Sequence, residues 1–237
     1  MSAERLYFRQ WLAGRDFATD DHVAVGMVNF VYAVGDYETG EAVLVDPAYK
    51  PGELVDLVAA DGLSVTGALV THYHADHVGG NLWGNEIAGL TALLSQVDVP
   101  IHVNAHESEW VRRSTGISES AMTMHESGDV LRVGEIDITL IHTPGHTPGS
   151  QCFLVDSKLI SGDTLFLDGC GRTDLPGSNP EDMYYSLTQR LAQVSNDTTL
   201  YPGHRYSAAP SAAMGQVRQE NWVFDLSTLE SFRATFG

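Results

Sequence analysis

Cysteine and positive charge are scarce in this 237-residue chain, which has two Cys and 13 Lys plus Arg against 31 Asp plus Glu, a formal net charge of −18 at pH 7. Cys152 and Cys170 lie outside any C-x-x-C pattern and cannot build a disulfide framework, so they are expected as buried or loop thiols. So acidic a surface, with its few cations scattered, repels a phosphate backbone and argues against nucleic acid as a partner. No apolar run reaches the ~18 residues that cross a bilayer. The opening Met1-Ser2-Ala3-Glu4-Arg5-Leu6 has neither the basic nor the apolar region of a secretory leader. The expectation is a cytoplasmic protein without a membrane partner. No G-x-S-x-G elbow, phosphate-binding G-K-[ST] loop or G-x-G-x-x-G fingerprint occurs, which removes the common nucleophile and nucleotide chemistries.

Linkers rich in Pro or Gly, low-complexity tracts and repeats are missing as well, while 43% of the residues are hydrophobic. That combination favours one mixed α/β domain over 1–237, with an N-terminal segment (1–23), an insertion (83–124) and a short C-terminal tail (207–237). β-branched and aromatic runs at Met27–Val34 and Glu41–Val45 flank a Gly-Asp turn and predict a hairpin ending at Asp46-Pro47. Pro51, the apolar Leu54, Val55, Leu57 and Val58, and then Gly62 predict a helix. Further strands are expected at Gly67–Val70, Pro100–Val103, Asp129–Val133, Glu135–Ile141, Ser150–Val155, Lys158–Ser161 and Thr198–Pro202. Helices are expected at Ala105–Arg113 and Glu181–Val194. Within 83–124, the apolar Trp83, Ile87, Leu90, Leu93 and Leu94 suit core packing, a wall over the site, or a dimer contact, so monomer and homodimer both stay open.

Ten histidines are present, and three of them crowd beside an aspartate in Thr71-His72-Tyr73-His74-Ala75-Asp76-His77, directly after a predicted buried strand. Positions two apart in an extended segment point the same way, so His72 and His74 can face one metal while Asp76 and His77 face a neighbouring site. Imidazole and carboxylate are ligands suited to zinc and other divalent first-row ions. His146, Asp163 and His204 follow later strands, each directly after a Gly that lets the backbone turn close to a site. His22, His102, His106, His125 and His142 are expected to be structural.

Together, T-H-x-H-x-D-H, Gly145-His146, Gly162-Asp163 and Gly203-His204 resemble the metallo-β-lactamase fold superfamily. The resemblance covers roughly Val25 to Tyr206. It implies a four-layer αβ/βα sandwich of two mixed β-sheets with helices on the outer faces and a metal site at their edge. It further implies two divalent ions, zinc or iron, with His72, His74 and His146 on the first, Asp76, His77 and His204 on the second, and Asp163 bridging. Asp46 matches an aspartate that holds a ligand histidine's other ring N–H, and would otherwise serve as a turn or cap before Pro47.

The stretches Gly162–Phe166, Gly169–Arg172 and Tyr201–Tyr206 are similar to the hydroxyacylglutathione hydrolases (glyoxalase II). That similarity implies a small-molecule substrate, a glutathione conjugate, contacted by Arg172 and Tyr206, with Asp76 orienting the water that attacks a thioester or ester carbonyl. The Gly169–Asp174 turn also resembles that of the persulfide dioxygenases, which implies a single iron on His72, His146 and Asp163. A non-catalytic metal-binding scaffold of the same fold is a third alternative.

Overall fold

In a computed structural model that describes residues 5–237, the chain runs β1 (Leu6–Leu12), α1 (His22–Met27), β2 (Phe30–Asp36), β3 (Glu41–Val45), α2 (Pro51–Ala60), β4 (Ser64–Leu69), α3 (Ala75–Val78), β5 (Gly80–Leu82), β6 (Asn85–Ile87), α4 (Leu90–Leu94), β7 (Ile101–Asn104), α5 (Ser108–Thr115) and β8 (Met122–His125). It continues with β9 (Val130–Val133), β10 (Ile136–His142), β11 (Gln151–Val155), β12 (Lys158–Gly162), α6 (Pro180–Tyr185), β13 (Thr199–Pro202), β14 (Ala212–Ala213), α7 (Met214–Glu220) and α8 (Leu229–Phe236). The strands form two six-stranded sheets, β1-β2-β3-β4-β7-β8 and β14-β13-β12-β11-β10-β9, while β5 and β6 make a separate hairpin. Both sheets are mixed: β3, β4, β7 and β8 run parallel in the first, and β12 and β13 in the second.

The period-two alternation of the strands builds the layers. On β3, Val43 and Val45 join Phe30, Tyr32 and Leu69 against Ile138, Leu140, Phe153 and Ile160 of the opposite sheet. Their neighbours Ala42 and Leu44 face outward, onto Leu54 and Val58 of α2 and Leu90 and Leu93 of α4. The second sheet repeats the scheme, with Cys152, Leu159 and Leu200 packed against Met183, Leu187, Met214, Val217 and Phe232. The result is helices, sheet, sheet, helices, as the resemblance implies.

Two segments differ from expectation. Residues 83–124, expected as an insertion whose apolar residues suit core packing, a wall over the site or a dimer contact, supply β7 and β8 to the first sheet, and Ile87, Leu90 and Leu93 take the first of these roles as core residues. Parallel strands need a long crossover, and this stretch carries it. Only Trp83 of the five apolar residues stands clear of the core, 79% exposed at the tip of the β5–β6 hairpin. Residues 207–237, expected as a short tail, form β14, α7 and α8. Phe232 of α8 is buried edge-on against Tyr184 of α6, because an apolar outer helix face needs a cover. Within Glu181–Val194 the helix changes from α to wider and then tighter turns after Tyr185. α1, which the sequence did not announce, is capped by Asp21, whose carboxylate accepts from the backbone N–H of Val23 and Ala24.

Candidate metal centre

All the candidate ligands leave the carboxyl ends of β4, β10, β12 and β13. His72 and His74 lie on the link from β4 to α3, and Asp76 and His77 on α3 itself. His146 sits in the β10–β11 loop, Asp163 directly after β12, and His204 two residues past β13. The first half of the chain thus contributes His72, His74, Asp76 and His77, and the second half His146, Asp163 and His204. Gly203 permits the approach of the last two, since a Cβ there would lie 2.3 Å from Asp163 Oδ1.

The side chains gather into two groups. The ligand-capable atoms of His72, His74 and His146 lie within 4.8 Å of one another, and so do those of Asp76, His77 and His204. Asp163 stands between them, with Oδ2 3.2 Å from His204 Nε2 and 3.7 Å from His146 Nε2, and Oδ1 3.5 Å from His77 Nε2. Asp46, His72 and His77 satisfy the same distance limit, but the Asp46 carboxylate is already engaged. It accepts from Thr71 N at 2.8 Å and Thr71 Oγ1 at 2.5 Å, and meets His77 Nδ1 at 2.9 Å. The Asp46 carboxylate is thus spent on Thr71 and the His77 ring rather than on a cap before Pro47.

The outward nitrogens fix the tautomers. His146 Nδ1 donates to the Arg172 carbonyl and His204 Nδ1 to the Met27 carbonyl, both at 2.8 Å, and a carbonyl can only accept. With His77 Nδ1 on Asp46, each of these rings turns its Nε2 inward, as a lone pair whenever the ring is neutral. Those lone pairs meet other nitrogens: His77 Nε2 is 3.2 Å from His204 Nε2, and His146 Nε2 is 3.0 Å from His74 Nδ1. Such pairs repel unless a cation or a proton lies between them. His72 Nε2 and Asp163 Oδ1 are buried with no hydrogen-bond partner, a costly state for polar atoms. Orphaned donors of this type, in this number, fit divalent cations.

Charge is partitioned along the same line. Burial pushes His72 well below its ordinary pKa, His74 down to about 3, and His146 down as well, which keeps this trio neutral. Burial also acts against the charged forms of His77 and His204, yet Asp76 and Asp163 raise His77, and Asp163 above all raises His204. In return, and against their own burial, Asp76 and Asp163 are held below the usual carboxylate range by these histidines.

The two expected substrate contacts lie beside the centre. The Arg172 guanidinium is exposed and forks onto Asp174 at 2.8 and 2.7 Å, while its backbone carbonyl holds His146. Tyr206 stacks on His204 with ring centroids 4.7 Å apart at 5°, and meets Phe166 edge-on at 5.0 Å. Of the other histidines, His102 pairs with His125, and His106 stacks on His142. None of those five belongs to a metal-capable group among the described residues.

Three residues escape sequence reasoning. Asn29 donates to Asp76 Oδ2 at 3.0 Å and accepts from the Tyr49 hydroxyl. Glu107, directly before α5, reaches the two ligand loops. Asn221, buried between α7 and α8, accepts from Gly169 N at 2.8 Å and donates to the Phe166 and Gly169 carbonyls, which pins the turn leading to Arg172. None sits in a recognisable spacing, and each acts on partners far away in sequence. Asn221→Ala leaves the Gly169 N–H without its acceptor and is expected to cost about 1–3 kcal/mol in urea unfolding.

The sequence profile of the metallo-beta-lactamase superfamily matches residues 24–204. A probable polyketide biosynthesis zinc-dependent hydrolase of Bacillus velezensis is 28% identical over 205 residues, 86% of this chain and 85% of that one. The mitochondrial persulfide dioxygenase ETHE1 of Homo sapiens is 30% identical over 206 residues, 85% of this chain and 73% of that one. A hydroxyacylglutathione hydrolase of Shewanella loihica is 32% identical over 193 residues, 81% of this chain and 68% of that one. Among solved structures, ETHE1 from Myxococcus xanthus superposes with a TM-score of 0.78 at 26% identity, covering 97% of this chain and 89% of the other.

Proposed function

The chain belongs to the metallo-beta-lactamase superfamily, and on that premise we propose that it is a metal-dependent hydrolase of thioesters or esters, nearest in chemistry to the hydroxyacylglutathione hydrolases. In this reading His72, His74 and His146 hold one divalent ion, Asp76, His77 and His204 a second, and Asp163 serves both. The observation that carries it is the pair of separate ligand groups facing one shared carboxylate. When bound, two such ions, zinc by donor type with iron as the alternative, polarise a carbonyl and lower the pKa of water from about 15.7 toward 7.

The chain's own groups supply position. Asp76, fixed by Asn29, is placed to orient the attacking water, and Asp46 keeps His77 turned inward. Tyr206, 57% exposed, offers a ring and a hydroxyl donor at the rim. The exposed Arg172 is free to exchange Asp174 for a carboxylate of the substrate, since a solvent-facing ion pair is worth at most about 1 kcal/mol.

A second reading, a persulfide dioxygenase with one iron on His72, His146 and Asp163, draws support from the Gly169–Asp174 turn and the human relative. One assay pair separates them. S-lactoylglutathione should be hydrolysed by protein carrying about two metal equivalents, and Arg172→Ala should raise KM roughly 10- to 150-fold with little change in kcat. Oxygen uptake on glutathione persulfide, with one iron and no thioester cleavage, would overturn the hydrolase reading.

A further inference from the structure

Glu107 directly precedes α5, with only 1% of its surface exposed, and its two carboxylate oxygens go to two different loops. Oε1 accepts from the backbone N–H of Tyr73 at 2.7 Å, and Oε2 from that of Gly149 at 2.6 Å. Tyr73 is the residue between His72 and His74, and Gly149 lies three past His146. A single carboxylate therefore ties together the two backbone loops that carry the whole His72, His74, His146 group. It makes no hydrogen bond to Asp76, His77 or His204 themselves.

The surroundings are shaped for this contact. A Cβ on Gly149 would come within 2.4 Å of Glu107 N and 2.7 Å of Glu107 Oε2, so only glycine lets the loop close on the carboxylate. α5 also grips the first loop from outside, because Trp110 stacks on the Tyr73 ring at 5.0 Å. Two backbone donors on one buried acceptor form a rigid bracket, and hydrogen-bonded partners outside the ligands are known to orient them.

We infer that Glu107 is a positioning residue for the first ion: it fixes the separation of the 71–74 and 143–150 loops and so sets the convergence of His72, His74 and His146. The inference rests on the two-ion reading above. Glutamine at 107 keeps the shape but offers one acceptor and one NH2, which faces an N–H and pushes the loops apart.

The test measures zinc affinity by competition with a chromophoric chelator in two backgrounds. In His204→Ala, which leaves the first group intact, Glu107→Gln should weaken zinc binding by about 10- to 100-fold. In His74→Ala, which leaves the second group intact, the same change should alter it by less than about twofold. Equal losses in both backgrounds, or none in the first, overturn the inference. A purely structural role would lower the melting temperature of the metal-free protein without this asymmetry. Should Glu107→Gln fail to fold, Glu107→Asp, with both acceptors on a shorter stem, carries the same comparison. Wild-type protein that takes up a single ion would instead defeat the two-ion reading. Glu107 would then be judged on that ion, because His72 and His146 belong to the one-ion set as well.

Discussion

Asp163→Ala is expected to strip both ions and reduce hydrolysis by about 10³-fold or more. Its carboxylate stands between the two ligand sets, within 3.2–3.7 Å of three inward-turned imidazole nitrogens. Without it, His77 and His204 lose a charge that supports them, and each set is left with its own side chains alone. Stabilisation of developing charge by a bound ion is worth several kcal/mol, and about 1.36 kcal/mol is tenfold in rate. Elemental analysis of chelator-free protein together with thioester turnover reads the result. His204→Ala is the contrast, removing mainly the second ion. Asp163→Ala protein that keeps two metal equivalents would contradict the shared role.

Removing the ions from the wild type should lower the melting temperature by roughly 10 °C for each ion, by an amount that depends on pH. At a free-ion level of a thousand times Kd, one ion contributes about 4 kcal/mol, and each kcal/mol is worth about 2–4 °C for a domain of this size. The sign with pH follows from the histidines. His77 and His204 have raised pKa values, so without metal the stability they contribute is whole below about 6.5 and drains away as pH rises through their folded values. His72, His74 and His146 are depressed, and the stability that depends on their neutrality is whole above about 6.5 and lost as pH falls. The metal-free protein is thus most stable near pH 6.5. In the loaded protein a cation replaces the protons of His77 and His204, so the gap between the two melting temperatures should widen from pH 6.5 to 8.5. Differential scanning fluorimetry with and without a chelator measures it, and a gap that narrows over that range would refute the charge assignment.

What was readable in the sequence is what is local. His72, His74, Asp76 and His77 lie within six residues, and the strand-then-glycine pattern before Asp163 and His204 is contiguous, so spacing alone exposed them. The sheet positions of β7 and β8 were not readable, because a four-residue parallel strand is defined by distant partners, and α3, the β5–β6 hairpin and α4 separate β7 from β4. The C-terminal helices were hidden for a related reason: α7 buries Met214 and Val217 and α8 only Phe232, too few to make a periodic stripe. Glu107 reads as an ordinary solvated acid at a helix start. Its burial is created by loops 34 and 42 residues away. Arg172 showed the reverse limit, since sequence named the residue but not its fork onto Asp174 or the work of its carbonyl.

The division of the ligands between the two halves of the chain gives the centre a second consequence, for a protein whose two cysteines are both free. His74 meets His146 across 72 residues, and His77 meets His204 across 127. Ions seated there are releasable clasps on very long tethers. An unfolded chain can keep an ion on the six-residue His72–His77 run, which then waits for ligands from the other half. The entropy of closing a loop grows only logarithmically, about 0.6 kcal/mol per doubling, so the two closures differ by less than that. Tether length therefore cannot decide whether His146 or His204 arrives first. The order of assembly is left to how well β10 and β13 pack as they dock.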